Sequence, residues 1–109
     1  MIPKDVVICD WHYDRADKTA IYFAMKVFRV MTCPWNQPST AIEQVNDMLS
    51  FRRTSTPEMS ARFLGVMQTT WMRTSFFLKN YYDQTSAASN ENRSWNCFRM
   101  MYDAIDKIQ

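Results

Sequence analysis

The chain has 109 residues, enough for one domain near the commonest domain size and too few for two with separate cores. Thirteen Lys and Arg against eleven Asp and Glu leave a formal charge of +2, and apart from Arg52-Arg53 the cations are scattered singly, which argues against a nucleic-acid partner and a membrane-surface partner. No apolar run approaches the roughly 20 residues needed to cross a bilayer, and a single glycine, Gly65, excludes a phosphate-cradling glycine loop.

The first apolar run, Val6-Val7-Ile8-Cys9, is short, continuous and β-branched, which predicts a parallel strand buried on both faces. It stops at Asp10-Trp11-His12-Tyr13. A polar loop, Asp14 to Lys18, leads into a helix over Thr19 to Phe28, with Ile21, Met25 and Phe28 on the inward face. Arg29 to Thr32 is the second strand and Cys33-Pro34-Trp35 ends it. Asn36-Gln37-Pro38-Ser39 has turn chemistry, and Thr40-Ala41-Ile42-Glu43 is spaced as a capping box opening a second helix. Its expected buried stripe is Ile42, Val45, Met48 and Leu49. Thr56-Pro57-Glu58 marks a further short turn, because proline suits a first helical position.

Phe63 to Thr69 is the third strand, with Thr70-Trp71 at its end. Ser75 to Tyr82 reads as helix, Gln84 to Asn90 as a polar connection, and Asn92 to Ile108 as an amphipathic helix with Trp95, Phe98, Met101, Ile105 and Ile108 inward. The expected fold is α/β: three parallel βα units in the order βαβαβα plus a C-terminal amphipathic helix, forming one partial (β/α) barrel domain over residues 1–109.

Each predicted strand delivers a tryptophan at or beyond its C-terminal end: Trp11, Trp35 and Trp71. Ligands of α/β proteins bind at that end, where the loops converge. Three indoles with hydrogen-bonding neighbours suit a carbohydrate, whose ring faces are apolar and whose edges carry hydroxyls. Asp10, His12, Tyr13, Gln68 and Thr69 are the polar groups nearest in sequence. Packing under loops is the alternative for the three strand-end tryptophans, and core packing is the expectation for Trp95. Asp10 reads as a ligand-side acceptor or a loop cap, and His12 as a rim hydrogen-bonding group or a direct ligand contact. No acidic pair stands at a strand end, so no catalytic residue is assigned. One histidine and three dispersed cysteines, read as reduced and mostly buried, give no expectation of a metal or cofactor.

Ile8-Cys9-Asp10-Trp11-His12-Tyr13, Val30-Met31-Thr32-Cys33-Pro34-Trp35 and Gly65-Val66-Met67-Gln68-Thr69-Thr70-Trp71 resemble the last three barrel strands of glycoside hydrolase family 20-like proteins, the β-N-acetylhexosaminidase group. The resemblance covers about residues 2 to 85. It implies that Trp11 and Trp71 enclose a sugar and its acetamido group, and that the catalytic Asp-Glu pair belongs to an earlier strand not present here. This chain departs from the family at Cys33-Pro34-Trp35, where a tyrosine and an aspartate are common, and at Arg73, where an acidic residue often follows. The expected function is therefore the carbohydrate-binding C-terminal part of a glycoside hydrolase barrel, inactive alone; the alternative is a stand-alone carbohydrate-binding or assembly module. The expected partners are a carbohydrate and either the missing N-terminal barrel segment or a second copy, docked on the inner sheet face or the strand edges. The N-terminus has no secretory signal pattern, and a fragment would have lost one, so the compartment is left open.

Overall fold

A computed structural model describes residues 2–83 and 93–107. Its elements are β1 (Val7–Asp10), α1 (Thr19–Met25), β2 (Arg29–Thr32), α2 (Pro38–Thr54), α3 (Pro57–Ser60), β3 (Phe63–Val66), α4 (Thr74–Tyr82) and α5 (Ser94–Asp106). The three strands are parallel and lie in the order β1-β2-β3. The α/β class and the parallel sheet are as the sequence predicts. The predicted connection Gln84 to Asn90, the helix start at Asn92 and the inward Ile108 lie outside the described residues.

The sheet has one covered face. Ile8, Val30, Phe63 and Val66 point to the helices, where they pack with Ala20 and Ala24 of α1 and Met48 and Phe51 of α2. On the opposite face Val7, Cys9, Arg29, Leu64 and Met67 are exposed. This corrects the expectation of strands buried on both faces: a continuous apolar run supplies side chains to two layers, and only one layer is present among the described residues. The last helix does not provide the other. α5 lies beside α2, sharing a core of Ala41, Val45, Cys97 and Met101 that Val66 also touches, so it is on the side already covered. α4 packs on α5 through Phe77 and Phe98, at a ring-centroid distance of 5.9 Å.

Gly65 shapes the third strand. Phe63 and Val66 are three residues apart yet both face the helices, which a strict two-residue period forbids. A bulge resolves this: Val30 pairs with Phe63 but Met31 pairs with Gly65, leaving Leu64 as the extra residue. Gly65 has φ +146°, a region that L side chains rarely adopt, and a Cβ there would meet nothing within 4 Å. The requirement for glycine is therefore conformational rather than steric. Downstream of the bulge, Met67 comes onto the open face beside the end of β2.

Other departures have local causes. α1 ends at Met25, three residues before the predicted end at Phe28, in a Schellman motif: the Val27 and Phe28 amides donate to Ala24 and Phe23 carbonyls at 3.0 and 3.1 Å. Its buried face is Ala20 and Ala24, and Met25 is exposed. α2 starts at Pro38 after Gln37, so Thr40 is buried inside the helix and the capping box does not form. The preference for proline at a first helical position applies at Pro38 as well as at Pro57, where Thr56 caps α3 by accepting from the Met59 amide. On α5, Trp95 and Met101 are buried as expected, whereas Phe98 and Ile105 are exposed and Cys97 takes the core position.

Candidate functional site

The C-terminal ends of the strands carry two adjoining hollows, with Trp11 as the wall between them. On one side Trp11, Tyr13, Cys9, Cys33, Met67, Thr69 and Trp71 line a mainly apolar hollow of about 290 Å³. On the other, Trp11, Cys9, Asp10, His12, Thr19, Tyr22 and Phe23 line a more polar groove of about 430 Å³. Both are near the lower end of the size range for small-molecule sites.

Tyr13 organises the apolar hollow. Its ring stands 5.4 Å from that of Trp11 and 5.3 Å from that of Trp35, tilted to both. Its hydroxyl lies 3.0 Å from Trp71 Nε1 and 3.2 Å from Thr69 Oγ1, and Thr69 Oγ1 lies 3.1 Å from the Pro34 carbonyl. A carbonyl only accepts and the threonine hydroxyl has one hydrogen, so the chain runs from the Trp71 indole N–H to Tyr13, from Tyr13 to Thr69 and from Thr69 to Pro34. One tyrosine thus ties the ends of all three strands together. Trp11 and Trp71 remain 64% and 72% exposed, an arrangement that leaves ring face available to a ligand.

The polar groove is built on Asp10, which is buried at the end of β1. The Thr19 hydroxyl donates to Asp10 Oδ2 at 2.5 Å, and His12 Nε2 lies 3.2 Å from Asp10 Oδ1. Because the Thr19 hydrogen is committed to Asp10, its oxygen accepts from His12 Nε2 at 3.1 Å, which places a proton on that nitrogen. His12 Nδ1 faces Asp17 at 4.0 Å. The Gln44 amide of α2 donates to the His12 carbonyl at 2.9 Å and fixes the loop from below. The Asp10 carboxylate thus anchors the start of α1 through Thr19 and faces His12 with its other oxygen. The nearby loop ions pair outward, Arg15 with Asp17 at 3.2 Å and Lys18 with Asp47 at 2.7 Å.

Six of the residues singled out from sequence divide by place. Trp11 and Trp71 share the apolar hollow, and Asp10 and His12 meet in the neighbouring groove. Trp35 stands behind Tyr13 and lines a separate hollow with Phe76, Ser94 and Trp95. Gln68 donates to the Trp35 and Ser94 carbonyls, both at 2.8 Å, and so ties β2 and α5 to the end of β3. The sequence reading names Tyr13 among the polar neighbours of the tryptophans, but its central position follows only from the packing of Trp11, Trp35 and Trp71 around it. Thr19 has no signal in the sequence, because only the packing of α1 brings it to Asp10.

Among the described residues no three of His, Cys, Asp and Glu gather as a metal cage, and no helix is long and apolar enough to cross a membrane. Comparison with protein-family models and with curated proteins finds no match.

Proposed function

We infer that the chain is the carbohydrate-binding C-terminal part of a glycoside hydrolase barrel, similar to the β-N-acetylhexosaminidase group, and that it binds sugar without hydrolysing it. The observation that carries this reading is the pair of exposed indoles, Trp11 and Trp71, converging from the ends of β1 and β3 on one apolar hollow around Tyr13. Indole faces pair with the C–H face of a pyranose, and Asp10, His12 and Thr19 across Trp11 offer partners for hydroxyls. Hydrolysis needs a proton donor and a second carboxylate, or a substrate group, about 5 to 9.5 Å away. Asp10 is the one carboxylate in the strands; it accepts from the Thr19 hydroxyl and faces His12.

The open sheet face supports the partial-barrel reading. Val7, Leu64 and Met67 lie where a closed barrel would pack its interior, and the face is suited to the rest of the barrel or to a second copy.

Titration of the chain with N-acetylhexosamine oligosaccharides, followed by tryptophan fluorescence, tests the reading. Trp11→Ala and Trp71→Ala are expected to weaken binding by about 1 to 3 kcal/mol each, as for anchors at an interface centre. Aryl N-acetylhexosaminides are expected to be cleaved no faster than background. Turnover abolished by Asp10→Asn would overturn the reading and make Asp10 catalytic.

A further inference from the structure

Three sulfur atoms from three different strands surround the apolar hollow. Cys9 is on β1, Cys33 follows the last residue of β2, Met67 follows the last residue of β3, and all three line the space beneath Trp11, Tyr13 and Trp71. The strand register explains their meeting. Cys9 pairs with Met31, so it is diagonal to Cys33 on the same face. Met67 comes beside Cys33 one step past the Thr32–Val66 pair, its amide donating to the Thr32 carbonyl at 2.9 Å. Burial, with the hydrogen-bonding Cys9 thiol as neighbour, pushes Cys33 up to about 12.

All three cysteines are free thiols, and Cys9 and Cys33 share the hollow with Met67. The donor set then selects the ion. Thiolate and thioether are soft ligands. Structural zinc takes four N, S or O ligands, iron–sulfur clusters take four thiolates as a rule, and neither set is present here. We propose that Cys9, Cys33 and Met67 form a binding site for a soft monovalent cation, Cu(I), with the two thiolates as principal ligands and the Met67 thioether as the third.

Binding exchanges each S–H proton for a sulfur–metal bond: Cu⁺ and two thiols give a bis-thiolate complex and two protons, and no electron changes hands. Cys9, exposed on the open face, is the entry ligand, and Cys33 is the floor. Because binding displaces both thiol protons, affinity rises with pH. The site does not depend on the sugar reading, although an ion there would lie under the two indoles and report itself by quenching their fluorescence.

Cys97 supplies an internal control, since its thiol faces Met101 Sδ at 3.9 Å in the α2–α5 core and has no second thiol there. The test is an anaerobic titration of the reduced full chain with Cu(I) against a competing Cu(I) chelator, read by indole fluorescence, thiolate-to-metal charge transfer and proton release. The expected result is one tightly held ion per chain with two protons released. Cys9→Ser and Cys33→Ser should each abolish this, Cys97→Ser should retain it, and Met67→Leu should weaken it while keeping the stoichiometry. Cys9 is exposed, so Cys9→Ser is expected to leave the circular dichroism and Tm unchanged, separating loss of the site from loss of the fold. Failure to compete with the chelator, full binding by Cys9→Ser, equal loss on Cys97→Ser, or a preference for Zn(II) would each overturn the proposal.

Discussion

Tyr13 sets the position of Trp71 by accepting from its indole N–H, and passes its own hydrogen to Thr69. Removing that hydroxyl leaves the tilted ring contacts with Trp11 and Trp35 in place. Tyr13→Phe is therefore expected to lower stability by only about 1 kcal/mol, the usual net worth of a hydrogen bond. On the carbohydrate reading, sugar affinity should fall as well, because Trp71 is no longer held; titration and urea denaturation of the same variant separate the two effects. Trp95 is the opposite case, buried against Phe76 at 5.8 Å. Trp95→Ala should cost about 3 to 5 kcal/mol of stability. Val27 carries local strain: it occupies φ +71° at the residue after the α1 cap, a conformation that disfavours β-branched side chains by about 1 to 2 kcal/mol. Val27→Gly is expected to raise Tm, with a gain near the lower end of that range after the added freedom of the unfolded chain is subtracted.

At the scale of elements, the strands and the order of the units were legible because short β-branched runs alternate with amphipathic segments. What sequence could not display was anything that depends on neighbours. The Thr40-to-Glu43 spacing fits a capping box, yet Pro38 starts the helix one turn earlier because its fixed φ suits a first position. The face of α5 is set by α2 and α4, which turn Cys97 inward and leave Phe98 to pack on Phe77. The bulge was also hidden, although the lone glycine and the three-residue interval from Phe63 to Val66 were its traces. Gly65→Ala should lower stability by about 1 to 3 kcal/mol through backbone strain, and should misplace Met67, Thr69 and Trp71 together. The buried thiols give a pH signature. Burial pushes both Cys33 and Cys97 up to about 12, from an ordinary 9.0. The folded chain thus keeps these protons at a pH where the unfolded chain has released them. Stability is unaffected by them below about pH 9 and falls as pH rises from there toward 12, by at most about 1.4 kcal/mol per unit for each thiol. Cys97→Ala should make the alkaline slope shallower in urea denaturation.

For the whole molecule, the decisive feature is that, among the described residues, only one side of the sheet is covered. Parallel sheets are stable when both faces are covered, and here α1, α2 and α5 all gather on one. β1 and β3 are both edge strands, so backbone donors and acceptors are open to a further strand as well. Each 100 Å² of the apolar face that becomes covered contributes about 2.5 kcal/mol, which is large against a domain stability of about 5 to 15 kcal/mol. Coverage of this face by another copy, or on the partial-barrel reading by the rest of the barrel, is therefore expected. Sedimentation equilibrium of the chain at micromolar concentration, run beside Val7→Lys and Leu64→Lys, tests this most directly: reversible self-association weakened by either lysine is the predicted result, and a stable monomer that unfolds cooperatively and binds no apolar dye would contradict the partial-barrel reading.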